Sequence, residues 1–209
     1  FGGVSQISNV AEAVARLGME NTRLLVVTFA LRELFRTGIS GLADRMTVLW
    51  EHSRRIAALT QVLANKVGAF NTHEALLAGL VHDIGALAVI GYARDFPNVA
   101  NDPAALESSI RSLRSQLGGM ILSRWQLPVA LVDAAKEAEN WYRDHTGEPD
   151  YADLVVVAQL HEGLGGNVAA AAVPALARLG IVAEDLEAGL EILNQSDAEV
   201  AEAVRRLTA

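Results

Sequence analysis

Residues 77 to 90 read LAGLVHDIGALAVI, with an imidazole and a carboxylic acid, His82 and Asp83, side by side in a run otherwise aliphatic or glycine. Taking such groups out of water is costly unless each finds a partner. Imidazole nitrogens and carboxylate oxygens are also the donors that hold a divalent cation, and a cation so held can activate water. The plainer alternative is a satisfied polar pair, with Asp83 accepting from His52, His82 or nearby backbone amides. Thirty residues upstream, Leu49, His52, Ile56, Leu59 and Leu63 step by three and four, the spacing of one helical face. That spacing places His52 on a buried stripe.

These groups need helices to position them, and helix signals run from end to end. Val10, Val14 and Leu17 before Gly18, then Leu24 to Phe35 before Gly38, predict two helices with glycine ends. The His52 helix stops at Gly68. Asn71 and Glu74 have capping-box spacing and open a helix apolar on nearly every side, Ala75 to Ile90, expected in the middle of a bundle. Asp102-Pro103 is a capped start, and Leu117 to Trp125 predicts a helix ended by Pro128. Further helices are expected at about 129 to 143, 151 to 165, 168 to 179, 184 to 193 and 197 to 208, with surface loops at Arg94 to Asp102 and Asp144 to Asp150. No alternating strand and no fixed-period repeat is present, so the fold class is all-α. Trp50, Trp125, Trp141 and Tyr142 are expected to pack in the core or between lobes.

Composition narrows the function. The chain has 209 residues, 51% of them hydrophobic, and 17 basic against 25 acidic residues give a net charge of −8. That balance disfavours a broad phosphate-backbone footprint, so a nucleic-acid binder is not expected. With no cysteine, disulfides, zinc fingers, iron–sulfur ligation and thiol nucleophiles are excluded. No stretch approaches the ~18 consecutive apolar residues of a membrane span. A soluble, cytoplasmic protein is the expectation. The sequence opens on Phe1-Gly2-Gly3, which fits a piece of something longer. His73-Glu74 and His161-Glu162 begin like the HExxH zinc motif, but Leu77 and Gly165 stand where the second histidine belongs. Phosphate-binding and dinucleotide glycine motifs and the GxSxG word are absent.

The words LWEHSRRIAALTQVLA and EALLAGLVHDIGALAVI resemble the HD superfamily of metal-dependent phosphohydrolases, and more closely the HDOD domain, the HD-related output domain of bacterial signalling proteins. LGGMILSRWQLPVALVDAAKEA and VAEAVARLGMENTRLLVVTFAL extend the likeness over most of the chain. The resemblance implies a multi-helix, HD-like bundle over residues 1–209 that apparently lacks the family's N-terminal helices. It also implies a domain that passes signals by contact, in company with receiver, kinase or cyclic-dinucleotide domains.

A catalytic HD site needs a first histidine, the His-Asp pair and a distant aspartate. The resemblance puts the first three at His52, His82 and Asp83, but places Gln159, in LVVVAQLHEG, at the fourth. Further histidines of related phosphodiesterases align with Arg114, Ala138 and Glu139. A guanidinium stays protonated and repels a cation instead of ligating it. Arg114 is therefore expected against Asp83, supplying in fixed form the charge a metal would supply. The expectation is a vestigial pocket of His52, His82, Asp83, Arg114, Glu139 and Gln159, with no catalytic residue, metal or cofactor. The partner would be a signalling protein or a fused signalling domain. Two rivals are a divalent-metal phosphohydrolase or cyclic-dinucleotide phosphodiesterase, and a nucleotide sensor that does not hydrolyse its ligand.

Overall fold

The computed structural model describes residues 9–35, 42–164, 168–169, 172–181 and 196–207. Four of the described helix starts follow short polar side chains that accept from free backbone N–H groups. Asn9 accepts from Glu12 N ahead of α1 (Val10–Leu17), which ends at Gly18 with φ 80°. After α2 (Met19–Phe35) comes α3 (Ala43–Val67), ended by Gly68 in the left-handed conformation. Asn71 accepts from the N–H groups of His73 and Glu74 to open α4 (Thr72–Val81). The Glu74 carboxylate does not complete a capping box; it accepts from the Tyr151 hydroxyl at 2.8 Å.

The all-apolar stretch expected as one helix is two, α4 and α5 (Ile84–Ala93), parted at His82 and Asp83. The His82 imidazole donates through Nδ1 to the carbonyl of Gly79 at 2.7 Å, the carbonyl that a regular ladder would offer to the Asp83 N–H. Asp83 accordingly leaves helical geometry, at φ −111° and ψ 22°. Together Thr72–Ala93 is long and apolar enough to cross a membrane, yet 83% of its most apolar window is buried inside the protein.

Downstream, the loop expected at 94 to 102 contains one turn, α6 (Pro97–Ala100). The capped start at Asp102 and the predicted 117–125 helix are one element, α7 (Pro103–Arg124), because nothing between them breaks the ladder. α8 (Val129–Glu137) and α9 (Tyr151–His161) stop short of residues 143 and 165. In place of a helix over 168–179 the described residues hold only α10 (Pro174–Arg178), since Pro174 lacks the N–H and clashes in a helix interior, and so fits only the first turn. α11 (Asp197–Arg206) closes the described chain. Gly38 and the helix expected at 184 to 193 lie outside the described residues.

α9 is the axis of the core: Leu154, Val155, Val156, Val157 and Ala158 are all fully buried. Around it pack α3, α4, α8 and α10, with α5 laid on α7 and α7 on α8. No strand occurs among the described residues. Of the four aromatics expected in the interior, Trp50 and Trp141 pack partly buried against the core, but Trp125 and Tyr142 are about half exposed. Both sit where a helix has just ended and the chain turns outward, Trp125 before Gln126 at φ 57°.

Candidate functional site

Two glycines bracket the His82-Asp83 break, and each lets a helix approach where a side chain would not fit. A Cβ on Gly79 would lie 2.6 Å from the Ala57 Cα, so α4 meets the backbone of α3. A Cβ on Gly85 would lie 1.8 Å from the Arg114 carbonyl oxygen and 2.7 Å from Gly118 N, so α5 rests on the backbone of α7. The first approach sets His82 against His52 of α3. The second sets Asp83 against Arg114 of α7.

The resulting cavity has a volume of about 450 Å³, and its wall includes His52, Asp83, Arg114, Glu139 and Gln159, with Trp141, Leu49 and Ile110 as apolar lining. His82 stands behind this wall, 3% exposed. Its Nε2 lies 3.1 Å from Nε2 of His52. Because Nδ1 of His82 donates to a carbonyl, Nε2 of the neutral ring is the acceptor, and the proton between the rings belongs to His52. Burial, with the neighbouring imidazole, pushes His52 down to about 4. Burial likewise lowers His82. Both rings are therefore neutral at pH 7.

Asp83 is N-terminal to α5 but makes no capping bond with its side chain. It faces the Arg114 guanidinium instead, Oδ2 to Nη1 at 3.6 Å, with the carboxylate 6% and the guanidine side chain 22% exposed. Arg114 is shared: its Nη2 is in close contact with Glu139 Oε2. The arrangement expected from the sequence, Arg114 against Asp83, is thus part of a three-group chain Asp83–Arg114–Glu139 with the arginine nearer Glu139. Burial, Asp83 and Glu107 push the Glu139 carboxyl up, against the pull of Arg114. Gln159 is 2% exposed and donates through Nε2 to the Ala138 carbonyl at 2.7 Å.

His52, His82 and Asp83 each bring one donor atom within 4.8 Å of the others, and imidazole nitrogens 3.1 Å apart suit adjacent positions around an ion. Among the described residues no fourth His, Cys, Asp or Glu joins this cluster. The carboxylate already faces a permanent cation, and the amide at the fourth position donates its N–H to a main-chain carbonyl. An ion among these groups would sit beside an arginine that cannot lose its proton. The residues do not fit a hydrolytic metal centre.

A second polar cluster escaped the sequence reading. Arg143 forks onto both oxygens of Asp150, at 2.7 and 2.8 Å, and onto Asp153 at 2.9 Å. Arg178 of α10 reaches Asp153, Asp144 and the Arg143 carbonyl. Asp150 and Asp153 form the capping box of α9, and Asp153 is fully buried. Though His145, Asp150 and Asp153 have metal-binding spacing, the two arginines already satisfy these carboxylates. The cluster ties the 138–150 segment to α9 and α10, which holds Glu139 and Trp141 at the cavity. The Asp-x-x-Asp spacing at 150 and 153 was its one legible signal.

An all-helical bundle with a His–Asp pair at a helix junction defines an HD-like fold. Crystal structures agree on that fold. One described as "Putative metal-dependent phosphohydrolase", from Shewanella amazonensis SB2B, is 22% identical with a TM-score of 0.70, covering 96% of this chain and 75% of its own. An HDOD domain protein with unknown function from Geobacter sulfurreducens is 19% identical, with a TM-score of 0.66 over 99% of this chain and 76% of its own. A third, "Putative signal transduction protein" from Marinobacter aquaeolei VT8, is 20% identical with a TM-score of 0.63, and 98% of this chain corresponds to 49% of that one. No curated protein matches. The HDOD domain family matches over residues 1–141, and the chain belongs to that family.

Proposed function

We propose that this HDOD domain is a non-catalytic regulatory module of bacterial signal transduction, acting in the cytoplasm through contacts with another signalling protein or a signalling domain of the same polypeptide. One observation carries the reading. The position that would face a metal is taken by the Arg114 guanidinium, set between Asp83 and Glu139, so a fixed cation already stands against both carboxylates. Family membership supports a regulatory role. The likeness to a protein described as a phosphohydrolase carries the fold and not the chemistry.

The test is metal analysis of the purified chain, followed by hydrolysis of bis(p-nitrophenyl) phosphate and of a cyclic dinucleotide with added manganese or iron. The reading expects no turnover above buffer. Stoichiometric metal, with turnover that disappears in Asp83→Ala, overturns it in favour of the phosphohydrolase.

A further inference from the structure

The face of α5 and α7 turned away from the cavity carries a second feature. Ile84, Leu87 and Gly91 of α5 line one side of an open channel of about 540 Å³. Leu117, Met120 and Ile121 of α7 line the other, and Leu34 and Trp125 extend it. The lining recurs at three, four and seven residues on α5, a two-turn ridge roughly 10 Å long, and at three and four on α7, a ridge of about one turn. Two parallel ridges with a groove between them are what a third helix packs into. Gly91 leaves room for it, with nothing within 4 Å of where its Cβ would be. The α7 edge of the lining is open to solvent, with Met120 59% and Trp125 47% exposed, while Ile84 and Leu87 form its buried floor.

Charge selects the occupant. Among the described residues the one charged group lining the channel is Arg124, and the adjoining groove, which shares Met120 and Arg124, adds Lys136 and no described acid. Arg124 has no ion-pair partner among the described residues, and the Lys136–Asp133 pair is a loose 4.0 Å. On a chain with net charge −8, an apolar channel whose described charged lining is cationic is a local inversion of sign. We infer that this channel docks an amphipathic helix of a partner protein, one that carries carboxylates beside its apolar stripe. The inference rests on the contact-based function proposed above and names the chemistry of the contact.

The test uses the 209-residue chain and two labelled 18-residue helical peptides. Both have leucines at three- and four-residue spacing; one is flanked by glutamates, the other by lysines. Fluorescence anisotropy should show saturable binding of the glutamate peptide, about tenfold tighter than the lysine peptide and weakening with salt. Met120→Glu should abolish binding, and Arg124→Glu with Lys136→Glu should reverse the preference, with helical circular dichroism unchanged in each. Equal affinities, no binding of either peptide, or an unreversed preference overturns the inference. So does a dimer in sedimentation that Met120→Glu dissociates, because a second copy would then be the occupant. Failure here leaves the metal and turnover results standing, whereas turnover in that assay would remove the regulatory reading without altering peptide binding.

Discussion

Replacing Arg114 by methionine keeps much of the stem and deletes the charge, leaving Asp83 and Glu139 to face each other across the cavity. At 3.6 Å and an effective dielectric near 20, the Asp83–Arg114 attraction alone is roughly 4–5 kcal/mol gross. Part of that returns when the arginine is no longer desolvated, and the side chains are 22% and 27% exposed at the Arg114–Glu139 contact, so screening reduces it further. The expected net destabilisation at pH 7 is about 2 kcal/mol, equal to a fall in Tm of roughly 4–8 °C for a chain of this length. It should also depend on pH in one direction. The orphaned carboxylates are best kept neutral, so the penalty shrinks as pH falls and protons replace the missing cation. Urea unfolding followed by circular dichroism at pH 7 and pH 5 measures both quantities. A variant as stable as the parent at pH 7, or a penalty that grows on acidification, would refute the claim that Arg114 balances this cavity.

Gly85→Ala puts a methyl 1.8 Å from a main-chain carbonyl that cannot move without α7, and should cost about 3 kcal/mol or more, read as a lower urea midpoint. The neutral histidines give acid sensitivity of definite sign. His52 is held at about 4 when folded and near 6.5 when unfolded, so below pH 6.5 the unfolded chain takes up a proton that the fold refuses. Stability should fall by up to about 3 kcal/mol between pH 6.5 and 4, and His52→Asn should flatten that slope; parallel slopes would discredit the assignment. Arg143→Met strips the buried Asp153 of its strongest partner and should cost about 3 kcal/mol, with hydrogen exchange accelerating first at the start of α9 and in residues 138–150.

The helices were legible because their punctuation is local. Asn71 and Asp102 announce starts that the structure keeps, and Gly18 and Gly68 mark stops. Less legible was any feature fixed by contact across the sequence. The break at His82-Asp83 comes from a side chain capturing the Gly79 carbonyl, and no apolar periodicity encodes it. Gly79 and Gly85 read as flaws in a helical run, when each marks a backbone-to-backbone contact with another helix. In the site, the family resemblance put His52, His82, Asp83, Arg114, Glu139 and Gln159 in one pocket, and the structure brings five of them to one cavity wall with His82 buried behind it. It could not give the order of the charges, which depends on how far α8 carries Glu139 toward Arg114. The Arg143–Asp153–Arg178 knot joins residues up to 35 apart in the chain and left only a capping signature to find.

A tethered cation differs from a dissolved one in obeying no dissociation constant. Arg114 is delivered with the polypeptide, in fixed stoichiometry, the moment α5 settles onto α7. That positive charge therefore stays in place under chelation, iron scarcity or metal excess, conditions that would empty or poison an ion-dependent site.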